Sequence, residues 1–269
     1  MRATPPRYGR DDEEPCSENR PVDASAHFRH ELHGRNGQFA HANASHVRGQ
    51  SPDVPPRDAS GMEVWSRAFP DYSGSVIRAR RLEKRYGDKR VLRGVEFDLP
   101  RDGFLVVTGP NGSGKTTLLR LCAGLAVPSA GELEVQLDRG RVGYLAHEPL
   151  VYRELTALEN LDLYGRLYRV SERRERIGML LERFGLWEVR HEQAGSYSRG
   201  MLQRLALCRA LLHDPDLLLL DEPYSGLDDD GAILLDRELQ EGHGRVAVAL
   251  ATHDPARVER FASARLALT

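Results

Sequence analysis

The octapeptide Gly109-Pro110-Asn111-Gly112-Ser113-Gly114-Lys115-Thr116 follows an apolar run, Phe104–Thr108, and precedes an apolar-periodic stretch. It is a full G-x-x-x-x-G-K-T/S loop between a strand and a helix, and it commits this part of the chain to an α/β fold. Glycines permit backbone conformations in which successive N–H groups converge on phosphate oxygens, and the loop opens a helix whose N-terminal dipole favours anions. Lys115 offers a compact charge to the β and γ phosphates, and Thr116 a hydroxyl to a magnesium ion. The chain holds only three lysines, Lys84, Lys89 and Lys115, against 35 arginines. A lysine kept at position 115 fits a need for a point charge rather than a planar fork.

A second element lies downstream, Leu217-Leu218-Leu219-Leu220-Asp221-Glu222. An apolar strand ending in two carboxylates presents both at the carboxyl edge of a parallel sheet, where ligands of such folds bind. Asp221 there would orient magnesium through its water shell, and Glu222 would polarise an attacking water. Around these motifs the pattern alternates between strands and helices. Val76–Leu82 and Val91–Leu99, separated by Tyr86-Gly87-Asp88, read as an antiparallel hairpin. Residues 156–188 and 199–213 read as helical, and Val246–Ala251 as a further buried strand.

Composition divides the chain. Residues 1–75 hold eight of the 15 prolines and five of the ten histidines but only eight Val, Ile, Leu or Phe, too few to offset ordering entropy. We read them as a disordered extension, with Met62 as an alternative start. His27, His30 and His33 have a spacing that suits metal or haem capture on a helix, but without a core to hold one they read as a solvated tail. Residues 76–269 then carry 29 charges of each sign, a balance that argues against nucleic-acid binding. No apolar run approaches the ~20 residues that span a bilayer, and MRATPPRYGRDDEE has no apolar h-region, so neither direct membrane insertion nor a secretory signal is expected. Cys16, Cys122 and Cys208 are too few and scattered for a disulfide framework or zinc site, and a reducing compartment is the default.

From about Val76 onward the chain resembles the nucleotide-binding subunit of an ABC (ATP-binding cassette) transporter. Gly109–Thr117, including Thr117, matches the family's phosphate loop, and Leu217–Glu222 its second nucleotide motif. Ser225-Gly226-Leu227-Asp228 resembles the D-loop, and Thr252-His253-Asp254 the switch-histidine segment. The resemblance implies an ABC-type P-loop ATPase fold: a mostly parallel core sheet with an antiparallel β subdomain and a helical subdomain at about 148–205. It implies ATP and Mg2+ as ligands, with Tyr86 stacking on adenine and His253 bridging the γ-phosphate to the D-loop. It also implies two cassettes, as a homodimer or a pair, enclosing ATP between them, and separate integral membrane permease subunits. The chain would then lie at the cytoplasmic face of the inner membrane, held peripherally by the permease.

Two stretches depart from the usual family pattern. The signature motif, usually Leu-Ser-Gly-Gly-Gln, is here Tyr197-Ser198-Arg199-Gly200-Met201, which keeps Ser198 and Gly200, the implied contacts to the partner cassette's ATP. Ser198 also suits the N-cap of the following helix, while Arg199 reads as facing solvent rather than the nucleotide. Where the family carries a glutamine that links magnesium to the permease, this chain has His147 followed by Glu148, and either could accept a bond from a metal-bound water. His147–Leu161 is then the expected permease contact. This segment is similar to the haem-exporter subunit of cytochrome c maturation, which makes haem export one expectation and generic drug or small-molecule efflux the alternative. A soluble ABC ATPase outside transport fits less well, because neither an inserted coiled coil nor a second cassette is present.

Overall fold

A computed structural model describes residues 74–269; the readings made for residues 1–73, including Met62, Cys16 and the three spaced histidines, lie outside the described residues. Two sheets organise the described chain. Strands β1 (Ser75–Tyr86) and β2 (Lys89–Pro100) form an antiparallel hairpin, and β4 (Ala130–Val135) pairs on the free side of β1, giving the order β2-β1-β4. The second sheet is parallel, order β5-β6-β7-β3-β8, from β3 (Phe104–Thr108), β5 (Val142–Leu145), β6 (Leu217–Asp221), β7 (Ala247–Ala251) and β8 (Ala264–Ala267).

The central strands are apolar up to their last residues, Thr108 in β3 and Asp221 in β6, because both faces of the parallel sheet are covered. Alternation along each strand sends successive side chains to opposite cores. Phe104, Val106, Leu218, Leu220, Val248 and Leu250 join the helical side, packed with Leu161, Leu180, Phe184, Leu205 and Leu239. Leu105, Val107, Leu217, Leu219, Ala247 and Ala249 join the other side, with Leu118 and Leu119 of α1 (Lys115–Cys122) and with Ile77, Leu82, Leu92 and Leu99 of the hairpin. Cys122 and Cys208 are buried in opposite cores, and burial pushes the Cys122 thiol up to about 12 and that of Cys208 further still.

Helices α2 (Ala157–Leu167), α3 (Arg173–Arg183) and α4 (Arg199–Leu211) pack together over the first of these cores, beside α5 (Asp229–Gly242). The helical stretch expected over residues 156–188 holds two helices, separated where Arg169 and Glu172 take left-handed backbone conformations (φ +54° and +51°). Thr156 starts α2 with a capping box, its hydroxyl accepting from the Glu159 N–H while Glu159 accepts from the Thr156 N–H. Ser198 caps α4 as its position suggested, accepting from the Met201 N–H at 3.2 Å. The hairpin strands run longer than expected, because Glu83–Tyr86 and Lys89–Arg90 extend the ladder with polar residues that carry no apolar alternation.

Candidate functional site

Three glycines of the phosphate loop need conformations that side chains resist. Gly109, Gly112 and Gly114 have φ of +148°, +83° and +104°. A Cβ on Gly109 would meet the Leu268 carbonyl at 2.4 Å, and one on Gly114 would meet Leu92 at 2.7 Å. The loop is therefore seated on the end of β8 and on the hairpin, and it delivers α1 with a glycine N-cap that supplies no capping side chain. The N-terminal N–H groups of α1 are left for an anion.

A cleft of about 390 Å³ opens above this loop, lined by Asn111, Gly112, Gly114, Lys115, Thr116 and Thr117, by Tyr86, Lys89 and Val91 of the hairpin, and by His147, Asp221 and Glu222. Gly109, Pro110 and Ser113 shape the loop behind the lining. Lys115 is only 7% exposed; its Nζ donates to the Gly109 carbonyl at 2.8 Å and lies 3.7 Å from the Glu222 carboxylate. Tyr86 is half exposed, with the Lys84 ammonium 4.9 Å from its ring centroid. His147 reaches the cleft, whereas Glu148 is not among its lining residues.

Asp221 closes β6, paired beside Ala251 of β7. It is 1% exposed, and neither carboxylate oxygen has a hydrogen-bond partner within 3.5 Å, the Thr116 hydroxyl being the side-chain group that approaches it. Burial raises its carboxyl above the ordinary range, against the opposing influence of Thr116, His147 and Arg120. A buried anion left without partners is costly unless a cation completes it. With the Thr116 hydroxyl in the same cleft, the donor set fits magnesium, which takes few protein oxygens and fills its octahedron with water and substrate phosphate. No group of three or more His, Cys, Asp or Glu side chains that could hold a metal by themselves occurs among the described residues.

The next residue turns the chain. Glu222 has φ +49°, and its N–H donates to the Ala251 carbonyl at 2.9 Å. This fixes its carboxylate between Lys115 and His253, whose Nδ1 lies 2.8 Å from Glu222 Oε2 and whose N–H donates to the same oxygen at 3.3 Å. His253 itself is largely exposed and is not among the residues that line the cleft; its link to the site is through Glu222.

Ser198 and Gly200 do not join this cleft. They lie at the start of α4 against the Ser225–Gly226 turn, where a Cβ on Gly200 would come within 3.1 Å of the Gly226 carbonyl. Arg199 is exposed, as expected, and its guanidinium also donates to Ser225 Oγ at 3.0 Å. Lys89 and Val91 were missed as cleft residues; the scarcity of lysine, and the position of Lys89 just past the turn after Tyr86, were the available signals.

A family model described as ABC transporter matches residues 92–225. Over 169 residues the chain is 38% identical to the ABC transporter ATP-binding protein NatA of Bacillus subtilis, a match covering 57% of this chain and 69% of that protein. The chain belongs to the ABC transporter ATP-binding family. This cassette is also 41% identical over 168 residues to the daunorubicin resistance ATP-binding protein DrrA3 of Streptomyces coeruleorubidus, covering 58% and 53% of the two chains. Among solved structures, a dimeric, post-hydrolysis state of the cassette MJ0796 bound to ADP and Pi superposes with a TM-score of 0.65 at 27% identity, over 72% of this chain and 94% of that one. The cassette spans between about half and about three fifths of the length of the first curated relatives it matches. The parallel sheet, antiparallel sheet and helices are those of the ABC ATPase fold. No helix among the described residues is long and apolar enough to cross a membrane.

Proposed function

We propose that this cassette is the ATP-hydrolysing subunit of an ABC exporter, pairing with a second cassette around ATP and driving a separate membrane permease from the cytoplasmic face of the inner membrane. The observation that carries the reading is the buried, unpartnered Asp221 carboxylate facing the same cleft as Lys115, Thr116 and Glu222. In this reading Tyr86 stacks on adenine and the loop from Gly109 to Thr117 wraps the phosphates. Lys115 exchanges its bond to the Gly109 carbonyl for the β and γ phosphates. Thr116 and Asp221 would hold Mg2+, which when bound neutralises charge developing on the phosphate oxygens. Glu222, held by the Ala251 carbonyl and by His253, orients the attacking water. His253, beside Glu222, meets the γ-phosphate, and Ser198 and Gly200 engage the nucleotide of the facing cassette. His147 at the cleft rim takes the glutamine's role toward the permease, in preference to Glu148. Residues 76–269 form the ATPase domain, with its helical subdomain at about 148–205.

The drug-resistance relative supports efflux of a drug or other small molecule at least as well as haem export, and efflux is the reading adopted. Glu222→Gln tests the catalytic core: it keeps the carbonyl that can face water but not the negative charge that polarises it. ATP affinity is expected to stay within about threefold while turnover falls about 100-fold or more, with ATP-bound dimer accumulating on size exclusion. Near-normal turnover would remove Glu222 from this role.

A further inference from the structure

The start of α4 and the turn after Glu222 run side by side and are held at three places. Deepest, the buried Gln203 donates from Nε2 to the Pro223 carbonyl at 3.1 Å. In the middle, the backbones run close enough that a Cβ on Gly200 would come within 3.1 Å of the Gly226 carbonyl. At the outer end, Arg199 donates to Ser225 Oγ, and its stem crosses Gly226 so closely that a Cβ there would lie 2.7–2.9 Å from Nε, Cδ and Cγ. Gly226 has φ +83°, which leaves the turn free of a side chain of its own to fill that space. The family's usual signature has glycine at the position of Arg199, where nothing could reach Ser225.

We propose that Arg199 is a positioning residue that fastens the Ser225–Gly226 turn to the N-terminus of α4, so that the signature segment and the D-loop meet a second cassette as one surface. The inference rests on the two-cassette reading above. Because the Arg199–Ser225 bond is exposed, it contributes little to folding. Its effect is on where Ser225 stands relative to Ser198. An arginine suits the task because the planar head can hold the hydroxyl while the aliphatic stem covers Gly226.

The test compares Arg199→Ala, Arg199→Lys, Ser225→Ala and the Arg199→Ala/Ser225→Ala pair in the full chain, by hydrogen exchange without nucleotide and by ATP turnover. The Ser225 and Leu227 amides, which donate to the Glu222 and Tyr224 carbonyls, report on the turn. Arg199→Ala is expected to speed their exchange about fivefold or more with a melting temperature within about 2 °C of the unsubstituted chain. It is expected to lower kcat about fivefold with KM for ATP changed less than about twofold, and Lys at 199 should restore at least half of kcat. Ser225→Ala should do the same, and the double variant should be no worse than the worse single. Unchanged exchange, additive losses, or no recovery with Lys would overturn the tether. Absence of turnover in the unsubstituted chain would instead bring down the catalytic reading, and the exchange comparison would still decide whether Arg199 holds the turn.

Discussion

Lys115 Nζ lies 3.7 Å from the Glu222 carboxylate and donates to the carbonyl of Gly109, six residues earlier in its own loop. The ammonium is thus held in place by the two groups between which a terminal phosphate would enter. Lys115→Ala is expected to weaken ATP binding about 100-fold, because a nearly buried charge-assisted contact is lost together with the charge that balances Glu222. Lys115→Arg should not rescue it, since the space is 7% exposed and shaped for a compact head rather than a fork. Calorimetric titration with a non-hydrolysable ATP analogue measures both.

Buried Asp221 makes stability depend on pH and on Mg-ATP. Its carboxyl is raised mainly by burial, so its contribution to stability is fully present below the ordinary carboxylate pKa and is lost as pH rises through the raised value. Above that raised value the buried group is ionised and works against the nucleotide-free fold. Asp221→Asn should therefore raise the melting temperature of the nucleotide-free protein at pH 7 by about 2–4 °C, the shift expected for about 1 kcal/mol in a domain of this size. The same variant should lose the further stabilisation that Mg-ATP gives the unsubstituted chain. Differential scanning fluorimetry with and without Mg-ATP checks both parts; a variant destabilised in both conditions would contradict them.

The phosphate loop and the two carboxylates after Leu220 were legible because their chemistry is local. Loop, strand and helix start lie within consecutive residues, and each residue type is demanded by its own backbone or its own charge. The central strands β3, β6 and β7 were legible because burial on both faces leaves them apolar up to the last residues of β3 and β6. The exposure of Arg199 was legible but its bond to Ser225 was not, because the two lie 26 residues apart and no periodicity marks a single side chain crossing a turn. The break between α2 and α3 was hidden because Arg169 and Glu172 adopt left-handed conformations without being glycine. The short strands β4 and β8 alternate between half-buried and exposed residues, too weak a pattern to separate from a loop.

Tyr224 ties the turn after Glu222 to the segment after His253. Its hydroxyl donates to Asp236 Oδ1 at 2.7 Å, Arg257 donates to both Asp236 oxygens, and the Arg257 guanidinium lies 4.9 Å from the Tyr224 ring centroid. Tyr224→Phe removes one bond to a charged acceptor and should cost about 1–2 kcal/mol in urea unfolding. Asp236→Ala should cost more, because it leaves Tyr224, Arg257 and Arg260 without their shared acceptor. Equal losses would mean that the tyrosine hydroxyl carries the network by itself.

His213 sets an acid limit to the fold. Its ring stacks on Tyr168 with centroids 4.1 Å apart, and Nε2 donates to the Val142 carbonyl at 3.1 Å, joining α4 to β5. Burial lowers its pKa from the ordinary 6.5 to about 4, and Arg141, Arg176 and Arg209 add repulsion. A histidine held neutral in the fold stabilises fully above pH 6.5. That contribution declines as the pH falls from 6.5 toward about 4, because the unfolded chain takes up the proton first. A shift of this size corresponds to roughly 3 kcal/mol across the window. His213→Phe keeps the stack but leaves the Val142 carbonyl without its donor, so it should be less stable by about 1 kcal/mol at pH 7.5. Because phenylalanine does not titrate, the two unfolding free energies should converge as the pH is lowered toward about 6 and cross near it, leaving His213→Phe the more stable protein at pH 5. Urea unfolding at pH 7.5, 6, 5 and 4.5 follows the difference directly, and parallel pH curves for the two proteins would show that His213 is not the group that titrates.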